Sequence, residues 1–100
     1  MIVVRNVFKL KFGKAKEATS LWKQGVAIAH GAGFPKGSTR ILTDLVGPFY
    51  TLIMETTHES LSEYERAAKN LMDNKEWKAW YADVLPLTEG GYREIYAISE

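Results

Sequence analysis

The sequence predicts an α+β domain whose elements follow one another as strand, helix, strand, strand, helix, strand. Three observations carry that prediction. The chain opens and closes on short segments of alternating polarity, IVVRNVFKLKF and YREIYAIS. Two further extended segments lie side by side in the middle, joined by Gly47-Pro48. Between these come stretches whose apolar residues recur at three- and four-residue spacing, the period of an amphipathic helix.

Residues 2–12 alternate as a strand, with Ile2, Val4, Phe8, Leu10 and Phe12 on one face together with Asn6, and Val3, Arg5, Val7, Lys9 and Lys11 on the other. Asn6 is the one polar residue on an otherwise apolar face. Gly13 breaks the strand, and Ala15, Ala18, Leu21, Trp22, Gly25, Ile28 and Ala29 then keep helical spacing until His30, Gly31, Gly33 and Pro35 stop it. STRILTDLV and FYTLIMET follow, and the short Gly47-Pro48 connection makes them an antiparallel hairpin with Tyr50, Leu52 and Met54 on one face. Ser60 with Glu63 three residues on is a capping-box signature, ahead of an apolar stripe of Leu61, Tyr64, Ala68, Leu71 and Met72. Asp73-Asn74 interrupts this helix. A second segment carries Trp77, Trp80, Tyr81 and Leu85 on one side until Pro86 ends it. Gly90-Gly91 is expected to turn the chain into the last strand.

That order is the ferredoxin-like βαββαβ pattern: a four-stranded antiparallel sheet with its helices on one face, filling residues 1–100 as a single domain. The uncovered sheet face carries Val3, Val7 and Ile53, too apolar to face water alone, so a homodimer through that face is expected.

Composition narrows the function classes. The hydrophobic content of 46% is that of a globular chain, and no apolar run is long enough to span a membrane. Met1 to Val4 lacks the length and flanks of a secretory signal, so the expected location is cytoplasmic. Thirteen basic residues against twelve acidic leave a formal charge of +1, which argues against nucleic acid as a partner. The absence of cysteine excludes disulfides, thiolate metal sites and a cysteine nucleophile. The two histidines, His30 and His58, have no carboxylate or second histidine at metal-ligand spacing, so no metal site is expected.

With these motifs in hand, the chain resembles the dimeric α+β barrel superfamily, the group that includes the NIPSNAP proteins and the antibiotic-biosynthesis-type (ABM-like) monooxygenases. The resemblance covers essentially the whole length. It rests on KLKFGKAKEA, on GPFYTLIMETTHESLSEYERA and on WKAWYADVLPL followed by GYREIY. It implies a homodimer, and a fold that hosts isomerases, monooxygenases, haem enzymes and non-catalytic proteins alike. The haem-degrading members of the fold place an Asn on the first strand, a Trp on the second helix and a His ligand further on. Here Asn6 matches the first, Tyr64 stands at the second position and Tyr81 near the third, so haem is implied only through a tyrosinate, and no cofactor is the primary expectation.

The candidate site residues follow. Asn6, buried on the helix-facing side, either orients a ligand oxygen or makes a structural hydrogen bond. Trp77, Trp80 and Tyr81 share a helix face, as core, interface or pocket wall, and Phe8, Tyr50 and Tyr64 would complete an aromatic lining for a flat apolar ligand. His58, at the end of the third strand, is the candidate general acid or base. Arg5, Arg40 and Arg93 lie in strands, where ion pairs to Asp44, Glu55 or Glu94 account for them, with an anionic ligand on Arg5 or Arg93 as the alternative. The function expected is binding of a hydrophobic or aromatic small molecule in the sheet-helix cleft. By resemblance, cofactor-independent oxygenation of a quinol-like or polyketide-like substrate is the enzyme reading, and a NIPSNAP-type interaction module the non-catalytic one.

Overall fold

The computed structural model describes residues 1–99. Its elements are β1 (Ile2–Leu10), α1 (Ala15–Gly31), a 3-10 turn (Lys36–Ser38), β2 (Thr39–Thr43), β3 (Thr51–His58), α2 (Leu61–Met72), α3 (Lys75–Val84), a second 3-10 turn (Leu85–Leu87) and β4 (Thr88–Ala97). The strands pair antiparallel in the order β2-β3-β1-β4. This is the expected ferredoxin-like arrangement, with the second helical region divided at Asp73–Asn74.

Strand alternation decides which side the helices cover. Val4 and Leu10 of β1 and Leu52, Met54, Thr56 and His58 of β3 are all buried on one face. One covered and one uncovered face produce this period of two. The uncovered face presents Val3, Val7 and Ile53 together with Tyr92 and Tyr96 of β4, by register. There Arg5 and Arg40 converge on Glu55, at 3.4 and 2.7 Å, which accounts for two of the three strand arginines as sheet ion pairs.

Close approach of α3 to α1 seals the other face. Trp80 lies over Gly25, where even a Cβ would stand 2.4 Å from the indole, and its Nε1 donates to the Leu21 carbonyl at 2.6 Å. Trp22 meets the Trp80 ring edge-on at 4.7 Å. At the helix starts, Ser60 Oγ accepts from the Glu63 amide at 3.2 Å, while the Glu63 carboxylate turns to Arg66, leaving the capping box half closed. Asn74 Oδ1 accepts from the Trp77 amide at 3.0 Å and so starts α3 afresh.

Five local expectations change. β1 stops at Leu10, and Phe12, expected on the buried face, is 83% exposed with its ring on Tyr50. The central hairpin has a longer loop: the Asp44 carboxylate accepts from the Thr51 amide at 3.0 Å, which closes a wide turn and takes Leu45 and Val46 out of the ladder. On α2 the buried stripe is Tyr64, Ala67 and Leu71, with Leu61 and Met72 exposed. On the last helical stretch it runs through Trp80, Val84 and Leu87, spaced i, i+4 and i+7 on one face, and Leu85 falls off that face and is exposed. Gly90-Gly91 is no turn but part of β4, next to a register shift at Lys9/Leu10. Gly91 pairs with Phe8, and a Cβ there would stand 2.6 Å from the Val7 carbonyl oxygen, so only glycine lets the strands come this close.

Candidate functional site

A cleft of about 650 Å³ opens between the helix-facing side of the sheet and helices α2 and α3. β1 contributes Asn6 and Phe8, β4 contributes Arg93, α2 contributes Tyr64, and α3 contributes Trp77 and Tyr81, one helical turn apart on the same face. Trp22 forms part of the wall, stacked on Phe8 at 4.8 Å and edge-on to Trp77 at 6.4 Å. This is an apolar concavity with a few polar groups, the usual composition of a small-molecule site.

Register brings the polar groups together. Asn6 pairs with Met54 on one side and Arg93 on the other, so all three side chains stand on the covered face. Arg93 Nε donates to Asn6 Oδ1 at 2.7 Å. Arginine is only a donor, so the bond fixes which way the amide points, and the Asn6 NH2 is left as the free edge. The guanidinium also lies 5.7 Å from the centre of the Tyr64 ring, within cation–π range. Burial pushes the Tyr64 hydroxyl above its ordinary pKa, an effect that the Arg93 charge opposes, so the phenol stays protonated and available as a donor.

Of the candidate residues, the structure gathers Asn6, Phe8, Tyr64, Trp77 and Tyr81 around this cleft. Three others lie elsewhere. Trp80 is sealed in the α1–α3 seam at 4% exposure. Tyr50 precedes β3 with φ at 61° and lines a separate concavity against α1. His58, also 4% exposed, contacts Thr56 Oγ1 through Nε2 at 2.9 Å and packs edge-on to Phe34 and Tyr64. It borders a smaller cavity of about 200 Å³ beside the start of α2, and burial lowers its pKa, favouring the neutral ring.

Sequence reasoning did not place Trp22, Met54 or Lys78 in the lining, and it weighed Arg93 as an ion-pair partner or an anion contact without placing it in this cleft. For Arg93 a signal was present: successive strand residues point to opposite faces, so Glu94 could not be its partner, and Glu94 in fact accepts from Tyr96.

Among the described residues no group of three or more His, Cys, Asp or Glu side chains could hold a metal ion. Tyr81, which stands near the haem-ligand position of the resemblance, lines the cleft. Neither histidine reaches the cleft, Tyr81 is half exposed, and the buried Tyr64 hydroxyl is biased towards its neutral form. No helix among the described residues is long and apolar enough to cross a membrane.

No protein-family model and no curated protein sequence matches this chain. Solved structures do match. A NIPSNAP family protein from Agrobacterium tumefaciens superposes with a TM-score of 0.88 at 21% identity, covering 99% of this chain and 93% of that one. A NIPSNAP domain protein from Burkholderia xenovorans gives 0.84 at 16% identity, covering 99% and 95%. SnoaB, a cofactor-independent oxygenase from Streptomyces nogalater, gives 0.73 at 12% identity, covering 99% and 93%. The chain therefore shares, over nearly its whole length, the fold of NIPSNAP-family and antibiotic biosynthesis monooxygenase-like proteins.

Proposed function

We propose that the chain binds a flat, largely apolar small molecule in the sheet-helix cleft. The observation that carries this reading is the cleft's aromatic wall around one oriented amide: with Oδ1 engaged by Arg93, Asn6 turns its NH2 towards any ligand oxygen. The fold shared with a cofactor-independent oxygenase supports a further step, oxygenation of a quinol-like or polyketide-like substrate. On an anthrone-type methylene, dioxygen would leave one oxygen atom as the new carbonyl and one as water. Asn6 would hydrogen-bond the oxygen on which negative charge develops, the general way a fixed donor assists such a step.

A thermal-shift panel of quinols, flavins, haemin and neutral and acidic flat aromatics tests the binding. A ligand at one hundred times its dissociation constant stabilises by about 2.7 kcal/mol, a rise of several degrees for a domain of this size. For a substrate that is turned over, Asn6→Ala should abolish turnover at an unchanged melting temperature. No shift across the panel would overturn the cleft reading and favour the interaction module, which the exposed Leu45, Val46 and Phe49 of the β2–β3 loop support, at 96%, 95% and 73% exposure.

The working unit in this proposal is a homodimer through the uncovered sheet face. Val7, Leu42, Val46 and Ile53 line a groove of about 760 Å³ there, and apolar side chains on an uncovered sheet favour a second sheet over water. Sedimentation should show a dimer at micromolar concentration that Val7→Asp splits into folded monomers. A wild-type monomer at that concentration would remove the dimer from the proposal.

A further inference from the structure

The polar chemistry of the cleft is one-sided. Its lining includes two cations, Arg93 and Lys78, and no carboxylate among the described residues. Neither cation makes a salt bridge there: the ion pairs of the described residues involve Arg5, Arg40, Arg66 and Lys14. The Asn6 oxygen, an acceptor in the lining, is already engaged by Arg93 Nε. What remains is rich in donors: the Asn6 NH2, the outer Nη groups of Arg93 and the Lys78 ammonium only donate, while the tyrosine hydroxyls of the lining donate or accept. The wall also includes Trp22, whose buried indole N–H has no acceptor in the described structure. An unpaired buried donor is uncommon enough to require an explanation, and a ligand acceptor is one.

The guanidinium is also held in place. Its Nε is tied to Asn6 and it lies over the Tyr64 ring, so its position is set by β1 and α2 together. A guanidinium held this way presents its two terminal nitrogens as a fork, the geometry that matches a carboxylate.

We infer that the cleft selects an anionic aromatic ligand, a flat ring system bearing a carboxylate or an ionised enol, with its charged end at Arg93 and its rings against Phe8, Trp22 and Trp77. The inference rests on the cleft being a ligand site. Such a ligand supplies the negative charge that the wall lacks, and its rings cover the apolar remainder. The cleft would discriminate against a neutral analogue of the same shape because several donors would then lose their charged acceptor.

The test is a pair of probes of nearly equal shape, 2-naphthoate and 2-naphthamide, titrated against tryptophan fluorescence of the full chain at low salt. The acid should bind about tenfold more tightly than the amide, the difference one charge-assisted contact provides, and added salt should narrow the gap. Arg93→Gln should remove most of the tenfold preference by weakening naphthoate far more than the amide, and Arg93→Lys should retain part of the preference. Thermal melts of both variants should match the wild type, since Arg93 is exposed. Equal affinity for acid and amide in the wild type would overturn the anion assignment and leave the cleft reading standing. A preference for the acid that survives Arg93→Gln would overturn the role of Arg93. Binding of neither probe would count against the cleft as an aromatic site, and the inference would fall with it.

Discussion

Trp77 and Trp80 stand one turn apart on α3, yet one walls an open cleft while the other is sealed against α1. The difference lies in what faces them. Opposite Trp80, α1 offers Gly25, and the missing side chain lets the indole sit against the helix backbone and donate to Leu21. Trp77 instead packs against the edge of Trp22 and borders a space that no side chain fills. A periodic aromatic stripe thus identifies a buried helix face without telling filled core from vacant site; the small residue across the interface tells them apart.

The largest effect is expected from breaking the filled half. Trp80→Ala should lower unfolding free energy by about 3–5 kcal/mol, as aromatic truncations in cores do, and urea denaturation would measure it. Since a domain of this kind is stable by about 5–15 kcal/mol, the variant should have little margin left. Trp77→Ala removes a half-buried ring, so about 1–2 kcal/mol is expected, with the main loss in naphthoate binding. Equal destabilisation by the two substitutions would erase the distinction between seam and cleft.

A smaller, pH-dependent effect sharpens the comparison at the other end of the sheet. His58 is buried beside Tyr64 with its pKa lowered, so below the ordinary histidine value of about 6.5 the unfolded chain takes up a proton before the folded one does. Its contribution is therefore complete above that pH and is lost as pH falls towards the lower folded value. Denaturation between pH 7 and 5 should show a steeper decline in the wild type than in His58→Gln, and identical slopes would show that His58 does not titrate with folding.

Much of the architecture was legible because it follows local rules. The alternation of β1, the Ser60 cap, and the break at Asp73-Asn74 each follow from residues a few positions apart, and each stands where the sequence placed it. The errors fall where a distant contact overrides a local signal. Gly90-Gly91 reads as a turn until Phe8 is known to lie across from it. Leu45 and Val46 read as strand until the Asp44 carboxylate caps Thr51.

The site divides in the same way. Asn6 stood out as the one polar residue on an apolar strand face, and Phe8, Tyr64, Trp77 and Tyr81 followed from helix and strand periodicity. Arg93 was read only as an ion-pair partner or an anion contact, with no link to Asn6, because that partner is 87 residues away and strand register alone makes them neighbours. Tyr50 and Trp80 were grouped with the pocket on periodicity that says which face a side chain takes but not its depth. Period and capping, which act within a few residues, therefore settled the order of elements and their buried faces. Register, the Gly25 contact and the spacing of α3 from the sheet join residues far apart in the chain, and only the folded structure decided that a cleft stays open and that its polar edge is rich in donors.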